Sequence, residues 1–117
     1  MSLQVDMETS RGTLIVRLKG ELDHHTAEYL KARIEQAIAR GDTNHIVLSM
    51  KGLTFMDSSG LGVIIGRYKQ VTARGGKLVV CDVHPSIYRL FEMSGLFKIL
   101  SIQDSEQHAL SSLGGVS

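Results

Sequence analysis

The sequence is poor in several residue types, and each shortage excludes a class of protein. Its 117 residues contain no Trp and one cysteine, Cys81. A single cysteine supports neither a disulfide framework nor a cysteine-based zinc site. Three Tyr and three Phe are the whole aromatic content. The core must therefore consist mainly of Leu, Ile, Val and Met, and 43% hydrophobic residues are enough for one core but not two.

The chain also lacks an excess of charge of one sign and any long apolar run. Thirteen Lys and Arg oppose twelve Asp and Glu, for a net charge of +1. This balance gives no electrostatic reason to expect nucleic acid or an anionic membrane as partner. No apolar run approaches the roughly 20 residues that cross a bilayer. The start MSLQVDMETS has neither the basic nor the apolar region of a signal peptide. We therefore expect a cytoplasmic protein.

Hydrophobic periodicity predicts one α/β domain over residues 1–117, with its core at about 3–113. In chain order the predicted elements are strands Leu3–Glu8 and Thr13–Lys19, a helix between Asp23 and Gly41, strand His45–Met50, a helix from Asp57–Gly60 to Gly75, strand Lys77–Asp82, a helix from Pro85 to Gly95, strand Lys98–Ile102 and a helix from Asp104 to Leu113. We expect a mixed, mostly parallel sheet of four to five strands, about four helices and an N-terminal antiparallel hairpin.

Three loops follow the carboxyl ends of the predicted parallel strands. These ends meet at one edge of such a sheet, where ligands and partners usually bind. The loops are Glu21–Thr26, Thr54–Gly60 and Asp82–Ser86. We expect all three to lie together.

The most informative segment is Phe55–Gly62, in which two hydroxyls occupy a strand-to-helix junction. A helix start carries unpaired N–H groups and a partial positive charge, so it suits either a capping side chain or a phosphoryl group. Ser58 and Ser59 could simply cap the helix. Gly60 and Gly62 stand in its first turn, where glycine is unfavourable unless a neighbour approaches closely. Both interpretations of the serines remain open on residue types alone.

Four segments together resemble the STAS (anti-sigma-factor antagonist) domain, and the resemblance runs from Leu3 to Leu113. They are Gly20-Glu21-Leu22-Asp23, the strand His45–Met50, Met56-Asp57-Ser58-Ser59-Gly60-Leu61-Gly62 and Met93-Ser94-Gly95-Leu96. Within the family, Asp23-His24-His25-Thr26 and Arg67-Tyr68-Lys69 are most similar to the branch that acts on the sporulation factor sigma F.

This resemblance implies a partner-switching cycle. The unphosphorylated protein binds an anti-sigma factor, itself a serine kinase, and so frees the sigma factor. The kinase phosphorylates Ser58 and thereby releases the antagonist, and a serine phosphatase restores it. The chain itself needs no cofactor, since ATP is used by the partner. The implied partner-binding residues are Asp23, Asp57, Ser58, Ser59, Gly60 and Gly62.

Two aspartates have alternative roles. Asp23 could cap the first helix, and the resemblance makes it a partner contact as well. Asp57 could orient Ser58 or cap the second helix.

An enzyme is the main rival class, but its signatures are missing. The glycine of a hydrolase nucleophile elbow is absent two residues before Ser58. No Lys-Ser/Thr follows the glycines, as a nucleotide-binding P-loop requires. His24 and His25 should diverge and have no further ligand at suitable spacing, so we expect no metal site. The remaining alternative is a sensor module that binds a small ligand or a nucleotide at the same loop edge.

Overall fold

The computed structural model describes residues 2–114, which form five strands, four α-helices and one 3-10 turn. The elements are β1 (Leu3–Ser10), β2 (Thr13–Leu22), α1 (Ala27–Ala39), β3 (His45–Met56), α2 (Ser58–Thr72), β4 (Leu78–Cys81), α3 (Pro85–Ser94), the 3-10 turn (Leu96–Lys98), β5 (Ser101–Gln103) and α4 (Glu106–Ser112).

The five strands form one sheet in the order β1-β2-β3-β4-β5. Strands β1 and β2 pair antiparallel, and the other neighbours pair parallel. The hairpin turn places Arg11 at φ 52° and Gly12 at φ 80°, as a two-residue turn with right-handed strand twist requires. The predicted α/β fold with a mixed sheet and an N-terminal hairpin is therefore confirmed.

Alternation along β2 divides the core between the two faces of the sheet. Leu14, Val16 and Leu18 pack with the buried residues of α1, α2 and α3. Ile15 belongs to a smaller cluster on the opposite face, with Val47, Val79, Cys81 and Ala109 of α4. Three helices therefore cover one face, and the short α4 covers part of the other.

Strand β3 is twice as long as the predicted strand, which stopped at Met50. Its register against β2 shifts between Arg17 and Lys19 and again between Gly20 and Glu21. Each shift inserts one extra residue into β3, which is why twelve residues of β3 accompany ten of β2. Such bulges break the alternation of side chains by which a strand is recognised in sequence.

The last two elements start later than predicted. A 3-10 turn at Leu96–Lys98 displaces the predicted strand Lys98–Ile102 to Ser101–Gln103. The last helix begins at Glu106 and is capped by Ser105, whose side chain accepts a hydrogen bond from the His108 N–H at 3.1 Å. The prediction that Asp104 starts this helix is therefore wrong.

Candidate functional site

The candidate site lies where β2 and β3 end side by side. Leu22 and Met56 are register partners at the carboxyl ends of the two strands. The Asp57 N–H donates to the Leu22 carbonyl at 3.2 Å. This bond holds the start of α2 against the loop that leads to α1, so the sheet brings the Asp23 and Ser58 regions together as predicted.

Asp57 caps α2. Its Oδ1 accepts hydrogen bonds from the N–H groups of Ser59 at 2.8 Å and Gly60 at 3.4 Å. The interpretation of the two serines as caps is therefore wrong, and the capping alternative for Asp57 is confirmed. Ser58 is exposed, Ser59 is half-buried, and within residues 2–114 neither hydroxyl takes part in a hydrogen bond.

The two glycines of the first turn of α2 differ in their surroundings. A Cβ on Gly60 would lie 2.6 Å from Cγ of Met56 and 2.9 Å from Cγ of Leu22. Gly60 therefore lets α2 approach the ends of both strands. A Cβ on Gly62 would meet nothing within 4 Å. The close approach expected for both glycines exists inside this chain only for Gly60, and Gly62 leaves an open surface.

Asp23 organises the loop before α1 and is only 3% exposed. Its Oδ1 accepts hydrogen bonds from the N–H groups of His25 at 2.9 Å and Thr26 at 3.1 Å, and its carbonyl accepts from the Ala27 N–H at 2.8 Å. Burial acts to raise the pKa of the Asp23 carboxyl, but the hydrogen bonds from Thr26 and His25 outweigh it and lower that pKa. Asp23 thus closes the turn that starts α1, although Thr26 holds the N-cap position.

The third predicted loop lies away from this site. Strand β4 ends at Cys81, opposite Ser49, and β3 continues seven residues further, to Met56. At about 3.3 Å per residue this offset is roughly 23 Å. The loop after β4 instead contacts the middle of β3, where His84 Nε2 lies 2.9 Å from the Lys51 carbonyl oxygen. The expectation that Asp82–Ser86 joins the other two loops is wrong, because the parallel strands end at different heights.

The remaining candidates contribute no site. The rings of His24 and His25 lie 3.9 Å apart instead of diverging, and both residues are exposed. Across residues 2–114, no group of three His, Cys, Asp or Glu residues is placed to hold a metal ion. Cys81 is fully buried, and burial raises the pKa of its thiol to about 12, so the thiolate form that reacts is suppressed. In the same part of the chain, no helix is long and apolar enough to cross a membrane.

One buried residue beside the site was noted in the sequence only as part of the segment Arg67-Tyr68-Lys69, with no role of its own. Arg67 of α2 is 9% exposed and lies beside Glu35 of α1. The sequence does contain an indication that Arg67 is buried. It is a charged residue on an otherwise apolar helix face, since Ile64 and Val71 lie one turn before and after it.

Comparison with known proteins agrees with this architecture. The STAS domain family model matches residues 4–109. The anti-sigma F factor antagonist of Paenibacillus polymyxa is 57% identical over 117 residues, which is the full length of both chains.

Two solved structures of the antagonist SpoIIAA are also similar. Its unphosphorylated form is 32% identical, with a TM-score of 0.75, over 98% of this chain and 100% of the other. The phosphorylated form from Bacillus is 34% identical, with a TM-score of 0.74, over 93% of this chain and 98% of the other. The chain belongs to the STAS domain family and, within it, to the anti-sigma factor antagonists.

Proposed function

We propose that this chain is an anti-anti-sigma factor that is switched by phosphorylation of Ser58. The unmodified form binds an anti-sigma factor and so frees the sigma factor. The anti-sigma factor is also a serine kinase, which transfers the terminal phosphoryl group of ATP to the Ser58 hydroxyl, leaving ADP. The modified chain is released, and a serine phosphatase returns it to the active form.

The observation that carries this proposal is the division of roles between Asp57 and Ser58. Asp57 takes the capping position, so α2 does not depend on the Ser58 hydroxyl. That hydroxyl is exposed and has no hydrogen bond within the described residues. A kinase can therefore modify it without first breaking a contact that holds the fold together.

The same geometry predicts where the added phosphoryl group would act. The N–H groups of Ser59 and Gly60, which the sequence suggested would be free for an anion, already donate to Asp57. A phosphoryl group on Ser58 would add about −1.5 to −2 charge beside that carboxylate. It would therefore remain in solvent and not become buried in the fold. The two solved forms of SpoIIAA match this chain almost equally well, which supports a fold that does not change on modification.

A docked partner would experience this charge directly. A protein that covers Ser58 must exclude water from a dianion that lacks a compensating cation. Changing a complex from 99% to 1% occupied requires about 5.5 kcal/mol, which a desolvated and unpaired charge can supply. The chain performs none of the phosphoryl chemistry, so we propose that it is not an enzyme and needs no cofactor of its own.

Two variants at Ser58 test this function. Ser58→Ala should bind the anti-sigma factor as tightly as the unmodified chain and should resist inactivation by the kinase and ATP. Ser58→Glu should bind at least tenfold more weakly, since it places a permanent charge at the same position. Isothermal titration calorimetry measures both affinities. Equal affinities for the two variants would overturn the proposal, and binding of ATP or GTP by the chain alone would instead favour the sensor alternative.

A further inference from the structure

Phe55, one residue before the end of β3, carries an aromatic ring that is 45% exposed. Within residues 2–114 it belongs to neither hydrophobic cluster of the core. A single exposed hydrophobic residue is common on a protein surface and by itself needs no explanation. Phe55 differs because an irregularity of the strand turns it outwards, beside the candidate site.

The irregularity is the second of the two bulges of β3. Thr54 has no register partner on β2, so Met56 and not Phe55 lies opposite Leu22 in the core. Without this extra residue Phe55 would take the buried place, because a shift of one residue moves a side chain to the other face of the sheet. The Thr54 hydroxyl donates to the Gly20 carbonyl at 3.1 Å and so holds the bulge. Bulges that redirect a side chain are frequent beside functional sites.

Phe55 and Ser58 lie at the same projecting end of the sheet. Strand β1 begins opposite Gly20 and β4 ends opposite Ser49, so the ends of β2 and β3 extend beyond both neighbours. Three residues of chain separate the two Cα atoms by at most about 11 Å. Phe55 faces the side of the sheet that carries α4, whereas Ser58 begins α2 on the other side. A protein that docks across this end therefore contacts both residues.

We propose that Phe55 is an apolar anchor for the same anti-sigma factor that covers Ser58, and that this partner straddles the joint end of β2 and β3 and receives the ring in a pocket of apolar side chains. The inference rests on the docking step of the proposed function and adds a residue that determines affinity. A standard interface covers about 800 Å² per partner, a patch about 30 Å across, so a protein centred on Ser58 reaches Phe55. Aromatic side chains are enriched in the cores of such interfaces, where their large apolar area is removed from water.

Isothermal titration calorimetry at several temperatures tests the anchor. The probe is the anti-sigma F factor of Paenibacillus polymyxa, whose antagonist is 57% identical to this chain. Phe55→Ala, in the unphosphorylated state, should bind at least about tenfold more weakly. The heat-capacity change of binding should also become less negative, because less apolar surface is buried in the complex.

Phe97→Ala is the matched control. It removes the same ring from a residue of similar exposure, 39%. Phe97 lies in the 3-10 turn before β5, at the edge of the sheet formed by the amino ends of the parallel strands and thus opposite Ser58. This variant should change the affinity by less than about twofold.

Two further substitutions separate recognition from folding. Phe55→Thr removes the ring but keeps a residue type that favours strands, so it decides the question if Phe55→Ala fails to fold. Phe55→Leu keeps an apolar side chain and should bind more tightly than Phe55→Ala. Equal loss of affinity in Phe55→Leu and Phe55→Ala would contradict an apolar anchor.

The outcomes distinguish this inference from the proposed function. If Ser58→Glu loses binding while Phe55→Ala and Phe55→Thr bind like the unmodified chain, the anchor proposal is wrong and the switch stands. If Phe55→Ala loses binding while Ser58→Glu does not, the anchor stands and the switch fails. If sedimentation shows that Phe55→Ala abolishes a dimer of this chain without weakening the complex, a second copy occupies this surface and the anchor proposal is wrong.

Discussion

At the residue scale, the helix cap and the exposed hydroxyl belong to two adjacent residues, Asp57 and Ser58. The Asp57 carboxylate accepts from two N–H groups of the first turn of α2. Ser58 contributes nothing to that cap and exposes its hydroxyl. Under the proposed function, phosphorylation of Ser58 would therefore leave the cap of α2 intact.

The first prediction concerns this division of roles. Asp57→Ala should lower the free energy of unfolding by about 1 kcal/mol, because it removes the side-chain cap of α2. Ser58→Ala should change that free energy by less than about 0.5 kcal/mol, as is usual for an exposed residue without contacts. Urea denaturation at neutral pH measures both values. An equal loss in the two variants would show that the serine shares the cap.

The second prediction compares the two glycines of the first turn of α2. Gly60→Ala should destabilise the fold by about 1 to 3 kcal/mol, because its Cβ would overlap Met56 and Leu22. Gly62→Ala should stabilise it by up to about 1 kcal/mol, since the new methyl group meets no atom of the chain. Thermal unfolding of the two variants checks the sign of each change, because both carry the same substitution at different positions of one helical turn. Destabilisation by Gly62→Ala would contradict the open surface described here.

At the element scale, one arginine attaches the last helix to the sheet. Arg17 of β2 donates to both carboxylate oxygens of Glu106 at 2.8 Å, to Glu8 at 2.9 Å and to Asp6 at 3.4 Å. The apolar contact of α4 with the sheet is small, with Ala109 as its one fully buried residue in Glu106–Ser112. Polar contacts should therefore matter more for α4 than for the three larger helices.

The third prediction follows from this ion pair. Hydrogen bonds from Arg17 lower the pKa of the Glu106 carboxyl below its ordinary value of 4.5, against the opposing effect of burial. A carboxyl whose pKa is lower in the folded state contributes stability above its unfolded pKa and loses it as the pH falls through the folded pKa. Glu106→Gln should therefore cost about 1 kcal/mol at pH 7, allowing for partial exposure of both groups, and less at an acidic pH below that ordinary value.

Denaturant unfolding at both pH values, with hydrogen exchange of α4 amides at pH 7, measures this effect. Asp104→Asn is the control, because Asp104 neither caps α4 nor contacts Arg17. A cost for Glu106→Gln that did not change between the two pH values would show that charge is not its cause.

Elements with regular patterns were predictable, and irregular ones were not. The apolar spacing that predicted α1 and α2 matches their buried faces, including Leu30 and Ile34 in the former. The predicted end of β3 was six residues short because two bulges interrupt its alternation. The Arg17–Glu106 contact joins residues 89 positions apart, and no local pattern in the sequence indicates it.

At the scale of the whole molecule, the order of the strands and the register between them decide which of the predicted loops lie together. The alternation of strands and helices predicted the sheet, and the resemblance to the STAS family located Ser58 and Asp23. Only the register shows that Asp82–Ser86 lies away from them, because strand lengths are set by pairing and bulges. The predicted binding roles of the other site residues, and the cytoplasmic location, stay predictions.

Surface exposure also differs among hydrophobic residues of similar type. Met56 and Leu96 are buried, whereas Met93 is 79% and Phe97 is 39% exposed. All four are hydrophobic, so composition could not distinguish core from surface. Their positions relative to the sheet do so.

The central claim is that a charge on Ser58 alters docking and leaves the fold intact. The most direct measurement is the dissociation constant of the anti-sigma factor for the chain before and after stoichiometric phosphorylation, with the modified residue mapped by mass spectrometry. We predict phosphate on Ser58, an unchanged circular dichroism spectrum and an affinity at least a hundredfold weaker, equivalent to about 2.7 kcal/mol or more. Equal affinity of the two forms, with Ser58 fully modified, would contradict the account.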